Sequence, residues 1–237
     1  VVGVPTFRES ATPSLAPNAT LSPAAAAVIN TDSWCPGRGG QTIDELLDVS
    51  GGDHSSKSTL DRHHQAVFGY GVNVDPAAHK GPMLEKSEGN AVHDGREIQG
   101  PLSQDQLQPG KVYQRIIDNC TEGGLFEDLR VVVIRGEVPV VYRKRKTGAV
   151  RYTNETAEVD LAKSPKTVLS ESEIDQIVSL SAKMCADFAE LDVLRDRQDG
   201  RMYCVDLNPT PFGPPAGLSN EQKTKATMCI EQVFSAH

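Results

Sequence analysis

Apolar and polar positions divide the chain into a sparse first quarter and a patterned remainder. Residues 1–30 are rich in Pro, Ala, Ser and Thr without sustained periodicity, which predicts an extended segment. Thr31–Gly40 reads as a Gly-rich, basic loop, either a structural turn or a grip for phosphate or carboxylate. Thr42-x-x-Glu45 then forms a capping box opening a short helix through Leu47. Ser50–Ser58 is polar, and apolar spacing over Thr59–Phe68 predicts a helix. Short β-prone runs follow at 71–74, 82–86, 96–98 and 111–117, split by Gly, Pro, Asn and Asp, as in a small antiparallel sheet. Leu125–Val133 and Val138–Tyr142 flank Arg135-Gly136-Glu137 and predict a hairpin. Ser170-x-x-Glu173 caps a helix expected to carry Ile174, Ile177, Val178, Ser181, Cys185 and Phe188 on one face. Ser219-x-x-Gln222 caps a last one with Ala226, Cys229, Ile230 and Val233 inward.

The stretch Leu191–Phe212 organises the rest. Two apolar strands fold about a polar turn holding Asp199 and Gly200. Period-two alternation puts Asp206 and Asn208 on one face together with Cys204, and Tyr203, Val205 and Leu207 on the other. A three-residue loop, Gln198–Gly200, with the glycine left-handed, would set Asp192 opposite Asp206. A two-residue Asp-Gly turn would send Asp192 to the other face. The longer loop is the expected one. Like charges facing across a ladder repel, so this arrangement calls for a cation, and an all-oxygen set suits Mg²⁺. An exposed polar strand face is the alternative.

Composition narrows the field. The 237 residues, 38% hydrophobic and 24% charged, are those of an ordinary globular chain. A net charge of −8 argues against a nucleic-acid partner, since backbone binding needs a basic face. The apolar run Ala24–Ile29 falls far short of the roughly 20 residues of a membrane span, so no membrane association is expected. Five scattered cysteines without CxxC spacing read as free thiols of a reducing, cytoplasmic compartment. The first residue is Val, as in a chain that starts within a longer protein or has lost a leader.

Taken in order, several features resemble the ATP-grasp superfamily over about residues 57–237. They are Lys86 with its Gly-bearing loop, Val112-Tyr-Gln-Arg-Ile-Ile-Asp118, Asp128-Leu-Arg130, the basic run from Arg143 to Arg145, Asn154, the capped helix, Asp192 and Asp206-Leu-Asn208. The likeness is strongest to its carboxylate–amine ligase branch, with ribosomal-protein glutamate ligases and tubulin–tyrosine ligases. It implies an α+β ATP-grasp fold in which the antiparallel sheets of two α+β subdomains sandwich the nucleotide. The division implied is an irregular segment 1–56, a lid subdomain 57–112 and a core subdomain 113–237.

By that resemblance Lys86 meets the nucleotide phosphates and loop 87–95 closes over them. Gln114, Arg115, Ile116 and Ile117 form the hinge beside adenine, and Asp118 approaches the ribose. Arg130 with Arg143 or Arg145 neutralises the transferred phosphoryl group, with Asn154 nearby. Asp192, Asp206 and Asn208 hold Mg²⁺, for which Mn²⁺ is the substitute. The sequence departs from the family in having Asp206 where Glu is commoner, a longer hairpin loop, and only about 55 residues where an N-terminal domain is usual.

The activity implied is ATP-dependent joining of a small-molecule or peptide carboxylate to an amine or thiol through an acyl phosphate. Such chemistry needs positioning and charge neutralisation, and no nucleophilic side chain. A small-molecule kinase of the same fold and a non-catalytic nucleotide-binding domain are the alternatives. The oligomeric state is left open.

Overall fold

The computed structural model describes residues 56–236 except 90, 91, 93, 154 and 212. The expected loop at 31–40, the helix at 42–47 and the extended segment lie outside the described residues, as does Asn154.

The described chain builds two antiparallel sheets. Strands β1 (Gly81–Ser87), β2 (Arg96–Gly100) and β3 (Lys111–Arg115) form the smaller, in the order β2-β1-β3. Strands β4 (Phe126–Ile134), β5 (Glu137–Lys146), β6 (Glu158–Leu161), β7 (Phe188–Arg195) and β8 (Met202–Asn208) form the larger, in the order β6-β5-β4-β7-β8. Three helices complete the fold: α1 (Lys57–Phe68), α2 (Glu171–Lys183) and α3 (Asn220–Ala236).

Local chemistry accounts for the helix limits. The Ser56 hydroxyl caps α1 by accepting from the Thr59 amide, so this helix starts two residues before its apolar pattern does. Gly69, at φ 80°, ends it. The box expected at Ser170 and Glu173 is present in both directions at the start of α2. Ser219 and Gln222 likewise bond reciprocally before α3. Helix α2 stops at Lys183 because Cys185 turns left-handed at φ 52°. Cys185 and Phe188 therefore do not extend its apolar face, contrary to expectation. Phe188 opens β7 instead and packs edge-on against Phe234 of α3.

Each face of the larger sheet carries its own core. Leu129, Val131 and Val133 of β4 join Leu191, Val193, Cys204 and Leu207 beneath α1 and α2. On the other face Val132, Ile134, Val140 and Tyr142 meet Ala226, Ile230 and Val233 of α3. Burial on both sides explains the unbroken apolar run of β4. Helix α3 covers only part of its face, and the uncovered part is polar and looks toward the smaller sheet. Val72, Ile117, Tyr203 and Val205 pack where the two sheets meet.

Some expected strands differ. Residues 71–74 form a single bridge, Asn73 to Gln114, beside β3. Strand β5 continues through the basic run to Lys146, and β6 is an edge strand with too little apolar alternation to be foreseen. The expected boundary between residues 112 and 113 falls inside β3, and α1 packs on β8 and α2.

Candidate functional site

The polar part of the larger sheet and the smaller sheet form the walls of one cleft. Asp128 and Arg130 reach it from β4, Asp192 from β7 and Asp206 from β8, while Lys86 and Gln114 reach it from the smaller sheet.

The two hairpins of the larger sheet reach this cleft through irregular registers. At the β7–β8 turn, the amides of Asp196 and Gly200 bond the carbonyls of Arg201 and Asp196, leaving a four-residue loop, 197–200, with Gly200 left-handed at φ 73°. Near the turn Val193 pairs with Cys204, but the next pair is Asp192 with Asp206. Val205 is the extra residue of a β-bulge. The expected pairing of the two carboxylates is thus present through a longer loop and a bulge. The expected companion of Asp206 is not: Cys204 and Leu207 lie in the core under α1 and α2, while Tyr203 and Val205 pack at the junction of the sheets.

Strand β5 carries a second bulge. Ile134 pairs with Glu137 across the Arg135-Gly136 turn, whereas Val132 pairs with Val140, so β5 holds one extra residue beside Pro139, which has no N–H for the ladder. The register beyond it pairs Arg130 with Tyr142 and Asp128 with Lys144. Lys144 and Lys146 consequently share the face of Asp128 and Arg130. Arg143 and Arg145 point away from the cleft, and both guanidiniums grip Glu127, at 2.8 and 2.9 Å, with Arg145 also 3.1 Å from Glu158. The two arginines expected at the phosphates are thus engaged elsewhere, while Lys144 and Lys146 share the cleft-side face of β5 and Lys146 lines the cleft.

Arg130 holds Asp192 in a fork, Nε to Oδ1 at 2.9 Å and Nη2 to Oδ2 at 3.2 Å. Burial opposes the charged form of Asp192, yet Arg130 and Lys144 hold its carboxyl below the ordinary value. Asp206, directly opposite, shifts the other way: burial raises it, and the closest cation, Lys57 Nζ, is 3.8 Å off. Its Oδ1 is buried without a hydrogen-bond partner. One carboxylate of the facing pair is therefore satisfied and the other is not, which is the condition a divalent cation would relieve. Asn208 ends β8, and its Oδ1 accepts from the Thr210 amide at 3.1 Å. Among the described residues no three His, Cys, Asp or Glu side chains group closely enough to hold a metal alone.

Lys86 is half-buried in β1, and burial lowers its ammonium to about 8, with Asp206 opposing the shift. Asp128 bonds Lys146 at 2.9 Å and the Asn119 amide at 2.9 Å. Gln114, Arg115, Ile116 and Ile117, expected as a hinge, all line the cleft. Gln114 donates to Asn73 Oδ1 at 3.2 Å, and its own Oε1 is buried and unpartnered. Arg115 bends to the Tyr203 hydroxyl at 2.8 Å. Asp118 is turned aside toward the hairpin loop, where it meets Arg197 at 3.4 Å. Within loop 87–95, Asp94 accepts from the Ser87 amide at 2.9 Å and pairs with Lys111.

Three neighbours of this cleft escape a reading by motif. Lys57, 7% exposed, donates to the Gly89 carbonyl at 2.8 Å; its signal is the Ser56 cap, which makes it the first helical residue. Glu190, two before Asp192, has the right parity for the same face. Arg151, in the β5–β6 connection, donates to the Ile117 carbonyl and to Asn119 Oδ1.

No protein-family profile and no curated protein matches the sequence. Among solved structures the chain is similar to the D-Ala:D-Ser ligase VanG from Enterococcus faecalis. The TM-score is 0.50 at 12% identity, over 81% of this chain and 67% of that one. The chain has the ATP-grasp fold. Weaker likenesses include the ATP-grasp ligase PsnB complexed with a phosphomimetic precursor variant, Mg and ADP, at TM-score 0.48 and 15% identity over 77% of this chain and 57% of that one. Another is an L-amino acid ligase from Bacillus licheniformis, at 0.46 and 14% over 67% and 41%. The chain spans less than two thirds of the PsnB chain. None of its described helices is long and apolar enough to cross a membrane.

Proposed function

We propose that the chain is an ATP-dependent ligase that activates a carboxylate as an acyl phosphate for attack by an amine. The observation that carries this reading is the convergence of Lys86 from one sheet and Arg130, Lys144 and Lys146 from the other upon the facing pair Asp192 and Asp206. A cleft with cations on both walls and a partly unsatisfied acidic pair suits a polyphosphate accompanied by a divalent metal. Asp192, Asp206 and Asn208 would hold Mg²⁺, with Mn²⁺ as substitute. Bound there, the metal would neutralise charge on the transferring phosphoryl group.

The chain's own residues supply the rest. Lys86 binds phosphate oxygens, and Arg130 acts on charge that grows as the γ-phosphoryl group leaves. Lys144 and Lys146 take the part expected of Arg143 and Arg145. Ile116 and Ile117 form the apolar wall for a base, and the unpartnered Gln114 Oε1 is an acceptor suited to an exocyclic amino group. Asp118 is proposed to hold the hinge through Arg197 rather than to reach the ribose. The lid unit is proposed to end after Arg115, where β3 ends.

Release of ADP, screened over carboxylic acids and amines and followed by mass analysis, tests the reading. The expected result is metal-dependent ADP release with a new amide. A stable phosphate ester would make the protein a kinase, and nucleotide binding without turnover of any acceptor would overturn catalysis altogether.

A further inference from the structure

Arg130 has one nitrogen not yet accounted for. While Nε and Nη2 hold Asp192, Nη1 faces Glu190 Oε2 at 3.5 Å. Glu190 is two residues from Asp192 along β7, so both project to the same face. It is 4% exposed and pairs across the ladder with Asn208. A surface carboxylate could be there for solubility, but one this deep costs desolvation and needs a specific partner.

A divalent cation held by Asp192 would compete with the fork for that carboxylate, and a guanidinium and a metal ion on one carboxylate would repel each other. Arg130 would then have to be held by something else, or it would drift from the position at which it can meet a phosphoryl group. We propose that Glu190 is a positioning residue: it retains Arg130 in the cleft when a divalent cation takes Asp192. The inference rests on the ligase reading for its purpose, but the handover of Arg130 from two carboxylates to one can be measured without turnover.

The probes are Mg²⁺ alone and Mg²⁺ with ADP, added to the full chain. The readout is the ¹⁵N-labelled Nε–Hε resonance of Arg130, assigned by its loss in Arg130→Lys. In the wild-type protein this signal should shift as the fork opens and stay sharp. In Glu190→Gln it should move, on Mg²⁺ addition, to the position of solvent-exposed arginines, and Glu190→Asp should lie between. In steady state Glu190→Gln should lower kcat by about ten- to a hundredfold with the ATP KM changed by less than about twofold, and should add nothing in an Arg130→Ala background.

A Glu190→Gln signal that follows the wild type under Mg²⁺, a wild-type signal that Mg²⁺ does not move, or additive kinetic losses would each overturn the proposal. Should Glu190→Gln not fold, Glu190→Asp carries the comparison, and its identity with the wild type would be the overturning result. Absence of turnover with every acceptor would overturn the ligase reading, and the resonance would then decide the role of Glu190 alone.

Discussion

The hairpins β4–β5 and β7–β8 lie in the same sheet, and each carries a bulge between its turn and the cleft, with different consequences. In β7–β8 the extra residue Val205 restores the pairing of Asp192 with Asp206 that the four-residue loop alone would have displaced. In β4–β5 the extra residue beside Pro139 reverses the side-chain parity set by the two-residue turn. It moves Lys144 and Lys146 onto the cleft face and leaves Arg143 and Arg145 with Glu127 behind the sheet. Turn chemistry sets a register locally, and a bulge resets it for everything beyond. Which side chains reach an active site is therefore decided by the irregular residue between turn and site.

The largest effects should come from the positions at which the two hairpins meet. Asp206→Asn keeps the size of the side chain and removes the charge of the unsatisfied carboxylate. It should lower metal-dependent ATP turnover on the order of a hundredfold to a thousandfold, as for loss of one electrostatic group aimed at transition-state charge. Arg130→Ala should act similarly on kcat, whereas Lys86→Ala should raise the ATP KM at least as much as it lowers kcat. Steady-state kinetics with varied ATP checks all three. Near-wild-type turnover in Asp206→Asn would remove the acidic pair from the chemistry.

The parity of β5 can be broken directly. Lys144→Met should lower kcat/KM by about tenfold or more, because a cation that acts on Asp192 is lost. Arg143→Met should change it by less than about threefold and cost under about 1 kcal/mol of stability, as expected for a partly exposed ion pair. Parallel kinetics and urea unfolding of the two variants measure the contrast. The opposite ranking would mean that the register of β5 in solution follows the turn, with no bulge.

Much of this was legible in the residues. Capping boxes at Ser170 and Ser219 mark helix starts, and the β-prone runs mark every strand of the two sheets except β6, because each signal is local. Asp192 facing Asp206 was reached through a loop one residue too short, since neither the extra loop residue nor Val205 leaves a mark on hydrophobic alternation. Assigning Cys204 to the carboxylate face failed for the same reason. Lys57 was hidden in a polar stretch that reads as loop, and only the Ser56 cap, confirmed by a bond to Thr59 at 3.2 Å, makes it helical. Glu190 followed from parity alone but matched no motif. Bulges and long-range ion pairs depend on contacts distant in sequence, which periodicity does not encode.

The smallest expected effect concerns what holds the turn end of β7–β8, a support on α1. His64 is fully buried, stacks on Phe68 at 4.2 Å and lies parallel to Tyr203 of β8 at 6.1 Å. Its Nδ1 bonds the Tyr70 carbonyl at 2.9 Å, and the Tyr70 hydroxyl donates to the Met202 carbonyl, tying α1 to the start of β8. Burial lowers the pKa of His64 below its ordinary 6.5, against weaker raising influences from the Tyr70 carbonyl and Asp61. The folded state therefore prefers the neutral ring, whereas the unfolded chain takes up a proton as the pH drops through 6.5. Stability contributed by this site should be complete above that pH and fall away below it. Urea unfolding of the wild type and His64→Gln at pH 7.5 and 5.5 measures the change: the wild type should lose more stability on acidification than the variant, with the difference between them narrowing at pH 5.5. Equal losses in the two proteins would show that the ring is not held neutral, and that α1 supports the hairpin through Tyr70 without help from the charge state of His64.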